Sequence, residues 1–257
     1  MSTYACSDIH GQFDAWLDAL VKSNIDLSSG DELIILGDLI DRGEDSLACV
    51  EMAFELMDRY PRQVTYLMGN HEKMFLDFVT TNPESPNGYI DMMITGSHWF
   101  QNGGFATASS FLNEVGLERD NFYAVRSSLI EKQPDLIKRL IKLPYYKVDE
   151  ELNCVYVHAG FRSNRRLEDQ YKEDMLWIRE AFFKSFIPVK GDVLEGKLIV
   201  HGHTPVQYMP DYQGEGFYQG KHHIGIDGGA AAGNSVLVVK MDDLSYVEEK
   251  IEMKEVL

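Results

Sequence analysis

An α/β fold is predicted by three observations. Short apolar, β-branched-rich runs of strand length recur along the chain, amphipathic helical stripes separate the early ones, and small polar segments with metal-ligand chemistry follow five of the runs.

The first run, Tyr4-Ala5-Cys6, is followed by Phe13, Trp16, Leu17, Leu20 and Val21 at helical spacing, with an exit over residues 24–30. Residues 33–36 then form a second strand and complete a βαβ start. Leu47, Val50, Phe54 and Met57 mark a second helix that stops before Pro61, and residues 64–68 form a third strand. These stripes read as core rather than as cofactor contacts. From about 80 to 145 the alternation breaks, and this stretch reads as an inserted helical cap, the natural place for substrate selection. It opens with a turn-rich segment at 81–88. Residues 99–112 carry Asn102-Gly103-Gly104, and Pro134 precedes a helix of Leu136, Ile137, Leu140 and Ile141 that Pro144 stops. Strands at 145–148 and 153–157 and one helix around 171–183 follow. Residues 199–200, 224–226 and 235–240 fit a second sheet, with 246–251 as a closing strand. The expected architecture is sheet packed on sheet with helices outside, in a single domain over residues 1–257. No Gly/Ser-rich or Pro-rich linker and no internal repeat interrupts the series.

The 257 residues suffice for a substantial core, and 44% hydrophobic with 25% charged residues fit a soluble globule. The 41 acidic and 24 basic residues, a formal charge of -17, argue against general nucleic-acid or anionic-membrane binding, which needs a basic footprint. No apolar window is long enough to cross a bilayer, and the N-terminus enters an apolar strand without a basic leader, so a cytoplasmic protein is expected. Cys6, Cys49 and Cys154 are widely spaced and read as reduced core residues.

The polar segments are Asp8-Ile9-His10-Gly11, Gly37-Asp38 with Asp41-Arg42-Gly43, Gly69-Asn70-His71-Glu72, Val157-His158-Ala159-Gly160 and Gly202-His203-Thr204-Pro205. Each alone is ordinary turn chemistry. Five of them at strand ends can converge, because open α/β sheets form their ligand crevice at the carboxyl ends of the strands. Two hard or borderline cations take carboxylate, imidazole and amide-oxygen ligands and can share one carboxylate. Asp38 is the expected bridge, flanked by Gly37 and Gly43, which allow tight turns. Asp8 and His10 complete the protein ligands of one ion, and Asn70, His158 and His203 those of the other. Such a pair would activate a bridging water and clamp the attacking and departing oxygens, so the expected reaction is hydrolysis of a phosphate ester or anhydride. His71 is the expected general acid, since imidazole titrates near neutral pH. Arg42 can present a planar fork to phosphate oxygens, with Asn70 as a further phosphate contact. The substrate is an anion and the global charge opposes it, so bound cations and arginines must invert the local potential.

In residues and order these segments resemble the dinuclear metallophosphatases of the phosphoprotein phosphatase type, which include calcineurin-like protein phosphatases and bacterial dinucleoside tetraphosphatases. The resemblance covers residues 8–229, because residues 99–107 and 226–229 also look like segments of the bacterial branch. Ser7 departs from it, standing where the family usually has Gly. The resemblance implies an αββα metallophosphoesterase fold, a pairing of Asp41 with His71, and a second phosphate clamp at Arg179. The competing readings are an Asp41 that only caps its turn and a helix-surface Arg179 paired with Glu180 or Asp174. The resemblance also implies manganese, with iron, zinc or cobalt compatible with the same ligands. Its implied substrate is protein phosphoserine or phosphothreonine, with promiscuity toward small aryl phosphates, a choice favoured by the Leu176-Trp177-Ile178-Arg179 segment. The alternatives are a diadenosine tetraphosphate hydrolase and, in another class, an inactive phosphatase fold serving as a binding module. His201 is expected to be structural, and His98, His222 and His223 to lie on the surface or in loops.

Overall fold

The computed structural model of the chain describes residues 1–114 and 121–251. Among them, ten strands form two five-stranded sheets. In the first, β1 (Thr3–Cys6), β2 (Glu32–Ile35) and β3 (Val64–Tyr66) run parallel. In the second, β5 (Cys154–Val157), β6 (Leu198–His201) and β8 (His223–Gly225) run parallel. The antiparallel strands β4 (Tyr146–Asp149) and β7 (Tyr218–Gln219) form its edges.

Side chains alternate along a strand, and here each face meets a different apolar layer. Ala5, Ile34, Leu36, Tyr156, Val200 and Ile224 fill the space between the sheets. Cys6, Leu33 and Ile35 face outward onto Trp16, Val50 and Phe54 of the helices α1 (Phe13–Lys22) and α2 (Ser46–Arg59). On the other side Val155, Val157 and Ile199 pack with Met175 and Phe182. A one-residue slip of any inner strand would exchange these layers, and each large apolar side chain so exposed costs about 1.5–3 kcal/mol. The result is the predicted helix–sheet–sheet–helix sandwich.

Two expectations are corrected. Residues 235–240, expected in the second sheet, form β9 (Ser235–Lys240) in the first. There β9 pairs antiparallel with β1, and β10 (Ser245–Lys250) closes the edge. An alternating apolar strand fits either sheet, and the open edge of β1 decides. The single helix expected around 171–183 is two short helices, α8 (Lys172–Trp177) and α9 (Glu180–Phe183). The break falls at Ile178, which is extended (φ -62°, ψ 140°), and at Arg179. Ile178 stays buried, whereas Arg179 turns toward the cleft described below.

Between β3 and β4 lie the helices α3 (Asn70–Thr80), α4 (Gly88–Trp99), α5 (Phe105–Leu112), α6 (Phe122–Lys132) and α7 (Pro134–Leu140). Residues 115–120 of the predicted cap lie outside the described residues. Phe75, Phe78, Trp99, Phe111 and Leu140 belong to the same apolar cluster as the outer face of the first sheet. This insert is therefore rooted in the main core. The three cysteines are free and buried, and among the described residues no helix is long and apolar enough to cross a membrane.

Candidate active site

Each of the six parallel strands runs into a polar segment at one cleft. β1 leads to Asp8 and His10, β2 to Asp38, Asp41 and Arg42, β3 to Asn70 and His71, β5 to His158, β6 to His203, and β8 to Asp227. The cleft is about 320 Å³, and its walls include Asp8, His10, Asp38, Arg42, Asn70, His71, Arg179, His203 and Asp227.

The loops are bent sharply to reach it. Asp8, His10, Asp38, Asp41, Arg42 and His203 all have φ between 50° and 74°, a conformation costing a non-glycine residue about 1–3 kcal/mol. Hydrogen bonds between loops hold them there: His10 N–H donates to Asp38 O (2.9 Å), Gly43 N–H to His10 O (3.0 Å) and His203 N–H to Asp8 Oδ2 (2.9 Å). The flanking glycines serve this loop packing. A Cβ on Gly37 would lie 2.5 Å from Gly69 Cα, and one on Gly43 2.2 Å from His10 O.

Asp38 Oδ2 is the point of convergence, 3.4 Å from His158 Nε2, 3.8 Å from His10 Nε2 and 3.9 Å from His71 Nε2. Two donor triads share Asp38, namely His10–Asp38–His71 and Asp38–His158–His203. His10 Nδ1 lies 2.9 Å from Ile40 O and His158 Nδ1 2.8 Å from Leu36 O, which places the proton on Nδ1 and leaves each Nε2 lone pair facing inward. Asn70 Oδ1 stands 2.8 Å from both His158 Nε2 and His203 Nδ1. His203 Nε2 is buried and meets no hydrogen-bond partner among the described residues. Asp8 faces the same cleft, with Oδ2 taken up by the Ser7 hydroxyl and the His203 amide.

The electrostatics match a cation site. Burial, then the nearby Asp8 and Glu72 carboxylates, hold Asp38 well above the usual carboxylate range. Burial followed by Asp8 does the same to Asp227. Burial, reinforced by neighbouring imidazoles and by Arg42 or Arg179, keeps His10, His71 and His203 well below the usual imidazole range. Crowded buried carboxylates beside neutral imidazoles form a donor set suited to divalent metal ions.

Asp41 is fully buried, and its Oδ2 lies 2.6 Å from His71 Nδ1. Burial pushes Asp41 up to about 8 against the pull of hydrogen bonds from Thr107 and Trp99 and of the Arg42 charge. Arg42 spans the two inward imidazoles, Nη1 at 3.3 Å from His10 Nε2 and Nη2 at 3.2 Å from His71 Nε2. Arg179 is no helix-surface arginine. It lies at the helix break and donates from Nη1 to Thr204 Oγ1 (3.1 Å), while Asp174 binds Arg162 and Glu180 binds Lys184.

Four contributors were not singled out by sequence reasoning. Asp227 follows an apolar strand exactly as the other candidates do, and its Asp-Gly-Gly signal was readable. Glu72 sits fully buried and accepts from Asp38 N–H (2.8 Å), Leu39 N–H (2.8 Å), Gly69 N–H (3.1 Å) and Tyr66 O–H (2.9 Å), fastening two site loops together. Trp99 and Thr107 reach Asp41 from the insert. His223 corrects an expectation: it is a buried strand residue, with Nδ1 2.9 Å from His201 Nε2, whereas His98 and His222 are exposed. His98 stacks on Trp177 at 5.8 Å.

A four-layer sandwich whose carboxylate and imidazole donors meet at strand carboxyl ends around one shared aspartate defines the metallophosphoesterase class. Residues 1–225 match the calcineurin-like phosphoesterase family, and the chain belongs to it. It is 42% identical over 72 residues to a symmetrical bis(5'-nucleosyl)-tetraphosphatase of Glaesserella parasuis, covering 28% of this chain and 25% of that enzyme. The chain thus spans about a quarter of that curated relative's length. It is 26% identical over 217 residues to serine/threonine-protein phosphatase 1 of Salmonella typhimurium, covering 81% of each. A protein serine/threonine phosphatase from Saccharomyces cerevisiae with similarity to human phosphatase PP5 shares the fold, with a TM-score of 0.59 at 16% identity over 100% of this chain and 81% of that one.

Proposed function

We propose that this protein is a metal-dependent phosphatase that hydrolyses phosphate monoesters, with phosphoserine and phosphothreonine of proteins as its substrates. The observation that carries the reading is the position of Asp38 Oδ2 within 3.4–3.9 Å of three inward imidazole nitrogens, shared by two donor triads. Asp38 would bridge two ions, with Asp8 and His10 completing one set and Asn70, His158 and His203 the other. Manganese is the proposed metal. When bound, two divalent ions supply Lewis-acid charge to the phosphoryl group and lower the pKa of water.

The chain's own residues do the rest. Arg42 and Arg179 orient the phosphoryl oxygens from opposite strand systems, with Asn70 as a further contact. Burial and the Arg42 charge keep the His71 ring neutral in the free chain. To act as the acid it would take up a proton on Nε2 for the leaving oxygen, with Nδ1–H directed at Asp41, whose carboxylate would stabilise the imidazolium. Water attacks phosphorus directly, and inversion of configuration at a chiral phosphorus would support that step; retention would refute it.

Protein substrates are favoured because the match to the Salmonella phosphatase runs over 81% of both chains. The dinucleoside tetraphosphate reading is favoured by the stronger but shorter match to the tetraphosphatase. Parallel turnover of a phosphopeptide and diadenosine tetraphosphate, after metal content is determined, separates them. An inactive binding module has no support from a cleft that retains the expected donors and both arginines, and absence of manganese-supported p-nitrophenyl phosphate hydrolysis would revive it. We assign the protein to the cytoplasm, a reducing compartment in keeping with its three free, buried cysteines; a fractionation that finds it elsewhere overturns that.

A further inference from the structure

We propose that Trp99 and Thr107, both from the helical insert, are positioning residues for the proton donor His71 and act on it through Asp41. This inference rests on the reading of His71 as the leaving-group acid.

The Asp41 carboxylate is surrounded by donors. Oδ1 accepts from Thr107 Oγ1–H at 2.6 Å and from Trp99 Nε1–H at 3.0 Å; Oδ2 lies 3.1 Å from the same indole nitrogen and 2.6 Å from His71 Nδ1. Thr107 also accepts from the Asp41 backbone N–H at 2.7 Å, so one hydroxyl fastens both ends of the residue. Ser46 Oγ supports it, 3.1 Å from Thr107 Oγ1. This hold matters because Asp41 and Arg42 sit at φ 71° and 74°, which their own backbones do not favour. The insert steadies Arg42 too, whose N–H donates to Gly103 O at 3.2 Å.

The anchor is closely packed. The Trp99 ring is fully buried, with Phe100, Phe75 and Phe78 at 4.8, 5.2 and 5.5 Å between centroids. The Thr107 and Trp99 donors favour the ionised carboxylate against its burial, and with Oδ1 engaged by both, Oδ2 is left to accept from His71 Nδ1–H. That selects the tautomer and aims Nε2 at the cleft. The insert therefore contributes to the chemical step as well as to the walls of the cleft. A purely structural role for two buried side chains would slow every substrate alike. A role in aiming the acid slows those whose leaving group needs a proton.

The test uses the metal-loaded full chain with Thr107→Val, Thr107→Ser, Trp99→Phe and His71→Asn, and kcat measured on aryl phosphates from 2,4-dinitrophenyl to phenyl. Thr107→Val and Trp99→Phe should lose at least about 10-fold more activity on phenyl phosphate than on dinitrophenyl phosphate, a fraction of the ~10²–10⁴ that a general acid supplies. Thr107→Ser should restore most of it. Added to His71→Asn, Thr107→Val should cost nothing further, because the two act as one unit. A uniform loss across leaving groups, or an undiminished Thr107→Val penalty in the His71→Asn background, overturns the proposal. If His71→Asn itself shows no leaving-group dependence, the acid assignment fails instead, and the anchoring argument falls with it. Should Thr107→Val not fold, Trp99→Phe and Thr107→Ser carry the comparison.

Discussion

Asn70 Oδ1 lies 2.8 Å from His203 Nδ1, although 133 positions of sequence separate the two residues. With His158 they form one side of a donor set whose other side is His10, and Asp38 is common to both. Asn70→Ala or His203→Ala should therefore lower bound divalent metal by about one equivalent per chain, and Asp38→Asn should impair both sites. Elemental analysis after dialysis checks this; full metal content in Asp38→Asn would exclude the bridging role.

His71→Asn should retain metal and lower kcat on phenyl phosphate by about 10²–10⁴-fold with little change in KM, since a general acid acts in the transition state. Steady-state kinetics with metal content measured in parallel decides it. Unchanged turnover with metal retained would exclude His71 as the acid.

Arg179 reaches the cleft because the helix breaks beside it. Removing a charge-assisted hydrogen bond costs about 1.5–3 kcal/mol, so Arg179→Ala should lower kcat/KM by about 10–100-fold. Arg179→Lys should recover little, because an ammonium cannot reproduce the planar fork. Wild-type inhibition by inorganic phosphate in Arg179→Ala would show that this arginine does not contact the phosphoryl group.

Glu72→Ala leaves three backbone amides and the Tyr66 hydroxyl without their acceptor. An unsatisfied buried donor costs about 1–3 kcal/mol. The variant should lose at least ~3 kcal/mol, a fall of roughly 10 °C in Tm at about 2–4 °C per kcal/mol for a chain of this size. Calorimetry on the metal-free protein reads this directly.

Burial, with a smaller push from His223, holds His201 down at about 3, against 6.5 for a free imidazole. The unfolded chain binds the extra proton first. The stability tied to neutral His201 is thus intact above pH 6.5 and falls with acidification toward pH 3, at about 1.4 kcal/mol per pH unit. His201→Gln should flatten the pH dependence of urea unfolding of the metal-free protein by about that slope between pH 6 and 4. An unchanged slope would mean that His201 is protonated in the folded state.

The α/β class, most strands and the main donor residues were legible because each carries its signal locally. Cys154 to Val157 alternates between two apolar layers as its β-branched pattern predicts, and Asp, Asn and His keep their ligand chemistry in any context. Asp227 was equally legible but lay in a segment read only for its resemblance. Other features had no local signal. An alternating strand such as 235–240 says that it is half of something, but which edge it joins depends on what β1 leaves open.

By itself the sequence determined that carboxylates, imidazoles and an amide would stand at the ends of strands, and hence the class of chemistry. Only the tertiary structure decided that Arg179 leaves its helix, that Glu72 ties two loops together, and that Trp99 and Thr107 reach across 58 and 66 positions to hold Asp41. The physical reason is that side-chain chemistry is a property of a residue. A hydrogen bond between distant residues depends on where packing of the whole chain brings them.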